Sequence, residues 1–176
     1  MKKLFAILLA ALLAFAATGA MAETVVKLNE NDDSFDMTLS VPNGMAVTQT
    51  PMTLGVSGDI EVSEHEALKL VFALTPDDSY DGLKMEDLSA EDVQLLFGLT
   101  LDDAENGKFE TKVNAQGMTI LTMEDAQRAE HITLALYDGY FFYMEAYHED
   151  FSPLDDEECA IADSLADTLT VAETAK

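Results

Sequence analysis

Asp77-Asp78-Ser79-Tyr80-Asp81-Gly82 places oxygen donors at alternate positions and ends on glycine. Asp77, Ser79 and Asp81 stand where positions 1, 3 and 5 of a calcium-binding loop stand, with Gly82 at the sharp turn of position 6. Position 12 should be a glutamate that holds the ion with two oxygens, and here it is Leu88. The regular loop therefore fails. An irregular calcium site would draw on Asp77, Ser79, Asp81 and Asp87, with Glu86 as the other nearby acid. Clustered acids are common in a chain this acidic, so the bland reading is a solvated turn. No other cofactor is expected.

The remaining reactive side chains are sparse. His65, His131 and His148 have no second His or Cys two to five residues away, so a zinc site would need ligands from distant segments. Their ordinary reading is as solvated or strand-end residues. Cys159 follows four acids, Asp155 to Glu158, which oppose formation of a thiolate, and a quiet buried thiol is expected. There is no G-x-S-x-G turn and no Gly-rich phosphate loop. Among 34 acidic residues, spacing alone selects no catalytic pair, so an acid-based glycosidase has no support in the sequence.

Composition narrows the partners. Nine Lys and Arg face 34 Asp and Glu, a formal net charge of −25. Such a surface repels phosphate backbones and anionic lipid heads, which argues against nucleic acid as a partner. Basic proteins, cationic peptides and divalent cations are favoured, although high charge also serves simply to keep a chain soluble and monomeric. A monomer is expected.

Residues 1–22 read as a cleaved signal peptide. Lys2 and Lys3 form the basic start, Leu4 to Ala17 the apolar run, and Ala20-Met21-Ala22 the small-residue cleavage site. The run is short for a membrane span, which needs roughly 20 apolar residues, so no membrane insertion is expected after cleavage. An extracytoplasmic protein, secreted or periplasmic, follows. Residues 23–176 are one domain's worth of chain, and the single cysteine leaves packing as the source of stability.

The elements that must position any site follow from periodicity. Phe35 to Val41 alternates apolar and polar residues without a fault, and Pro42-Asn43-Gly44 predicts a turn into a partner strand from Met45. Ile60 to Val62 and Leu68 to Thr75 read as further strands. Ser89, with Asp92 at the capping-box position, opens a predicted helix carrying Val93, Leu96, Phe97 and Leu101 on one stripe. Phe109 to Asn114, Met118 to Met123, His131 to Tyr137 and Tyr140 to His148 form a predicted meander. A second helix is capped by Ser152 or Asp155 and carries Ile161, Ala162, Leu165, Ala166 and Leu169; beyond Val171 the chain is expected to fray.

The stretch LYDGYFFYMEAY, residues 136–147, decides the architecture. With Asp138-Gly139 as a two-residue turn, Tyr137 faces Tyr140 and Leu136 faces Phe141. One face then carries Ile132, Leu134, Leu136, Phe141 and Tyr143. The other carries Ala135, Tyr137, Tyr140, Phe142, Met144 and Ala146. Both are apolar, which predicts a central hairpin covered above and below, with one helix per face.

Together, FDMTLSVPNG, LALYDGYFFYMEAY and LDDEECAIADSLADTL resemble, in pattern and order, the PsbP/Mog-like fold over most of Asp33 to Leu169. The resemblance implies an α+β domain, an antiparallel meander sandwiched between helices. It also implies a binding or accessory module rather than an enzyme, and it assigns no functional residue. The function expected is an exported, non-catalytic module recognising a protein or peptide. The alternatives are a hydrolase whose acids converge only in three dimensions, and a calcium-dependent adhesion or structural module.

Overall fold

A computed structural model of the chain describes residues 23–29, 34–89, 91–92, 108–124 and 129–174. The expected signal peptide and the apolar stripe of the helix after Ser89 lie outside the described residues.

The strands run in chain order as β1 (Thr24–Lys27), β2 (Phe35–Val41), β3 (Met45–Pro51), β4 (Val56–Val62), β5 (Leu68–Pro76), β6 (Lys108–Val113), β7 (Thr119–Glu124), β8 (Glu130–Tyr137), β9 (Tyr140–His148) and β10 (Thr170–Glu173). The helix α1 spans Asp156–Ala166. Seven strands form one sheet in the order β3-β4-β5-β9-β8-β7-β6, and three form a second, β1-β2-β10. Every pairing is antiparallel.

The β8-β9 hairpin sits inside the larger sheet with the expected register, Tyr137 opposite Tyr140 and Leu136 opposite Phe141. Asp138 and Gly139 both take positive φ, 47° and 79°, as a two-residue primed turn requires. Its two faces feed two cores. Ala135, Phe142, Met144 and Ala146 join the inner faces of β2, β4, β5 and α1 in the larger core, with Tyr137 and Tyr140 packed against it. Phe35 of β2 meets the rings of both tyrosines edge-on, at 5.1 and 5.3 Å. Leu134 and Leu136 belong to a smaller core with Met85 and Leu121, flanked by Ile132, Phe141 and Tyr143.

Of the expected one helix per face, one is described. The larger core is closed by α1 together with the three-stranded sheet. On the opposite face the described cover is the segment after β5, whose two short 3-10 turns, Asp78–Tyr80 and Met85–Asp87, bring Tyr80, Leu83, Met85 and Leu88 onto the sheet. Of the helix predicted after Ser89, the described part is its cap: Asp92 N–H donates to Ser89 Oγ at 3.1 Å and Ser89 N–H to Asp92 Oδ2 at 3.0 Å. Among the described residues the sandwich is helix-covered on one face only, and strand outweighs helix.

Two local expectations are corrected. The Pro42–Gly44 turn forms, with Met45 N–H donating to Pro42 O at 3.3 Å, but it does not make a hairpin. β2 pairs with β1 and β10, whereas β3 pairs with β4, so the chain changes sheets at the turn. Turn chemistry specifies the reversal and not which edge the next strand joins. Likewise the chain is not frayed just beyond Val171: Thr170–Glu173 lies along β2, with Ala172 opposite Asp36 and Glu173 opposite Phe35. Gly58 of β4 has a packing reason, since a Cβ there would sit 2.4 Å from the Phe72 ring.

Phe142 is fully buried, between Leu74 of β5 and Ala135 of β8. Phe142→Ala should cost about 3–5 kcal/mol, read by denaturant unfolding at unchanged slope. A loss below about 1 kcal/mol would mean that the site collapses without leaving a cavity.

Candidate functional site

α1 is the element on which the polar chemistry converges. Asp155 is its N-cap: Oδ1 accepts from the N–H groups of Glu157 and Glu158, both at 2.9 Å, and Glu158 Oε2 accepts from Asp155 N–H at 2.9 Å. The capping box thus uses two of the four acids that precede or flank Cys159, which weakens the repulsion expected from them. Ser152 is not the cap; its hydroxyl meets His148 Nδ1 at 2.8 Å.

The histidines are not solvated. His148 Nε2 lies 2.9 Å from Glu158 Oε1, and His65 Nδ1 lies 3.8 Å from the same oxygen. Glu158 is itself buried, so one carboxylate holds the helix start, β9 and the β4-β5 turn together.

The second convergence lies one turn further along. Cys159, Ala162, Asp163 and Ala166 stand at helical spacing and Cys159, Ala162 and Ala166 are buried. Below them, Glu124 of β7 pairs directly with His131 of β8. Cys159 Sγ, an imidazole nitrogen of His131 and a carboxylate oxygen of Glu124 all lie within 4.8 Å of one another. His131 is 3% exposed, and neither ring nitrogen makes a hydrogen bond. Its nearest ionic neighbours are Glu124 Oε1, 3.4 Å from Nδ1, and Asp163 Oδ1, 3.5 Å from Nε2. Lys112 of β6 donates to Asp163 Oδ1 at 2.8 Å.

These neighbours hold the Asp163 carboxyl down at about 2. The His131 ring, 3.5 Å away, is the first cause and the Lys112 ammonium, which donates a hydrogen bond, is the other; burial opposes both. On β9, the Tyr143 hydroxyl is pushed up, first by burial and then by Glu145, to which it donates a hydrogen bond.

The acidic loop is put to a different use. Asp77 Oδ1 accepts from Ser79 N–H at 2.9 Å, and Asp87 Oδ2 from Lys84 N–H at 2.9 Å, so two of the candidate calcium ligands cap the 3-10 turns. The loop also grips the β8-β9 turn: Asp77 N–H donates to Gly139 O and Asp138 N–H to Leu83 O, each at 2.7 Å. Asp81 faces Gly139, where an added Cβ would stand 2.8 Å from its carboxylate. Among the described residues, the group of His, Cys, Asp and Glu that draws three ligating atoms together is Glu124, His131 and Cys159, and not this loop. Sequence reasoning missed it because its members come from three elements. The signal available was phase: His131 shares the helix-facing side of β8 with Ala135, and Cys159 shares the stripe of α1.

A separate cleft of about 390 Å³ opens where the two sheets diverge. Leu28 and Asn29 line it from the end of β1, Pro51 and Thr53 to Val56 from the β3-β4 turn, and Leu74 and Tyr140 from the larger sheet. Leu54 and Met52 stand exposed at this turn.

Asp163 yields a prediction with a definite sign. Its folded pKa is depressed from 3.8, so the stability that it contributes is full above pH 4 and is lost as pH falls toward 2. The stability difference between the native protein and Asp163→Asn should therefore shrink over that interval in unfolding curves. The effect is small, because the side chain is 42% exposed and screened. A difference that stays constant from pH 5 to pH 2 contradicts the assignment.

No family model matches the chain, and a search of curated proteins finds no match. Among solved structures, the chain is similar to the solution structure of cyanobacterial PsbP (CyanoP) from Synechocystis sp.. The alignment covers 87% of this chain and 94% of that one, at 16% identity and a TM-score of 0.51. At that identity the likeness speaks for architecture alone: the chain has a PsbP-like α+β fold.

Proposed function

We propose that the protein is an exported, non-catalytic binding module that recognises a protein or peptide partner through the cleft between its two sheets. The observation that carries this reading is the lining of the cleft. It offers apolar surface from Leu28, Leu54, Val56 and Leu74, with polar groups from Asn29, Gln49 and Tyr140, and among the described residues none that lines it carries a carboxylate, imidazole, thiol or amine. That composition suits the burial of one or two apolar side chains with a few orienting hydrogen bonds, and not proton transfer. β3 runs beside the cleft as the edge strand of the larger sheet, in keeping with a partner that approaches in extended form. The acidic surface favours a basic partner and speeds encounter with it. Export rests on the basic start, apolar run and Ala20-Met21-Ala22 of the first 22 residues.

Two measurements test this. Mass spectrometry of the exported protein should find an N-terminus at Glu23; intact Met1 would remove the compartment from the proposal. Immobilised chain 23–176 should retain a defined protein from the envelope or medium of the producing cells, and Leu54→Asp should lose it. Leu54 is 65% exposed, so the change places a charge at the cleft without disturbing the core. Equal retention by the two baits, or none by either, counts against the cleft.

A further inference from the structure

We infer that Glu124, His131 and Cys159 form a binding site for a divalent metal of zinc type, independent of the cleft. A buried imidazole with two unbonded nitrogens is costly to maintain, and each nitrogen of His131 faces a carboxylate. The 3.4 Å between Glu124 Oε1 and His131 Nδ1 is close to the roughly 3.3 Å that separates two ligands of one tetrahedral zinc with bonds of about 2.0–2.1 Å. Cys159 Sγ stands within 4.8 Å of an imidazole nitrogen of His131 and a carboxylate oxygen of Glu124 and completes a sulfur, nitrogen and oxygen donor set. Such a set prefers zinc to calcium or magnesium, which take oxygen ligands.

The surroundings fit the same reading. His131 Nδ1 would be the ligand, and Nε2 lies 3.5 Å from Asp163 Oδ1, within reach of the carboxylate-histidine hydrogen bond that orients a metal-bound imidazole once the ring turns slightly. Lys112 fixes that carboxylate from its other side. Charges then balance in two parts: a divalent ion against the Cys159 thiolate and the Glu124 carboxylate, and Lys112 against Asp163. The protons carried by thiol and imidazole leave as the ion enters, so affinity falls as pH is lowered. Asp163, 42% exposed, and Glu124, 18% exposed, mark the side from which an ion reaches the buried sulfur. Three protein ligands leave a fourth position for water or a ligand atom.

The test is titration of the folded chain 23–176 with cobalt(II) and zinc(II). One equivalent of cobalt should bind with a thiolate-to-cobalt charge-transfer band, and zinc should displace it. Zinc should raise the melting temperature where calcium and magnesium at matched ionic strength do not, and should slow alkylation of the native thiol. Cys159→Ser and His131→Gln should each abolish the band and weaken zinc binding by at least roughly 100-fold, since even groups that only orient a ligand are worth 10- to 100-fold. Asp59→Asn, on a distant strand, should leave both unchanged. Should the buried substitutions prevent folding, the spectrum of the unaltered protein decides. Cobalt bound without a thiolate band, no cobalt bound, or zinc affinity that survives Cys159→Ser each overturns the site.

Discussion

The register of the β8-β9 hairpin is the constraint from which the rest of the structure follows. Side chains alternate along a strand with a period of two, so a slip of one residue would exchange the two faces completely. Here both faces are apolar, and burial alone would tolerate either setting. The turn removes that freedom. Asp138 and Gly139 at positive φ fix Tyr137 against Tyr140, which sends Phe142, Met144 and Ala146 to the larger core and Leu134, Leu136 and Phe141 to the smaller one. The same phase puts His131 beneath α1. The 77–88 segment then bonds to the turn itself, so the residues that set the register also anchor the cover of the smaller core.

Buried polar side chains fasten the layers to one another. Asn114 donates to the carbonyls of Ala166 and Leu169 at 3.0 and 2.8 Å, where α1 ends, and accepts from Gln116 and Met118 in the β6-β7 turn. One amide therefore satisfies helix-end carbonyls and shapes a turn in the sheet. Asn29 plays a similar part at the other end of the core, donating to Phe35 O and accepting from Met37 N–H. Such groups add little net stability each, about 1 kcal/mol, but leaving one unsatisfied costs about 1–3 kcal/mol. They specify one arrangement of helix against sheet where apolar contacts alone would accept several.

Local patterns were legible in the sequence to the extent that they reflect local physics. The alternation of Phe35 to Val41, both faces of the aromatic hairpin, a cap at Ser152 or Asp155 and the reciprocal Ser89–Asp92 cap could all be read from spacing, and the structure takes Asp155. Strand partners could not. The sequence of β2 describes a strand with one buried face, and nothing in it distinguishes β3 from the distant β10 as its neighbour. The described cover of the smaller core was not anticipated for a related reason: Tyr80, Leu83, Met85 and Leu88 lack helical spacing, yet two tight turns bring them to the sheet. His131 and Cys159 were read separately, as a solvated or strand-end residue and a quiet thiol, and Glu124 was not singled out. Their meeting depends on the packing of α1 against β8.

β2 lies between β1, from the beginning of the described chain, and β10, from its end. Thr168 reinforces the closure, its hydroxyl donating to Ser40 O at 2.8 Å and accepting from Ser40 N–H at 3.1 Å. This joins residues 128 positions apart in sequence. Loop-closure entropy makes so long-range a pairing late to form. A chain emerging from its N-terminus therefore cannot complete the smaller sheet until Thr170–Glu173 has been made, and Phe35, Met37, Leu39 and Val41 lack their full cover until then. The last described strand therefore acts as a latch, closing the smaller sheet only once Thr170–Glu173 is in place.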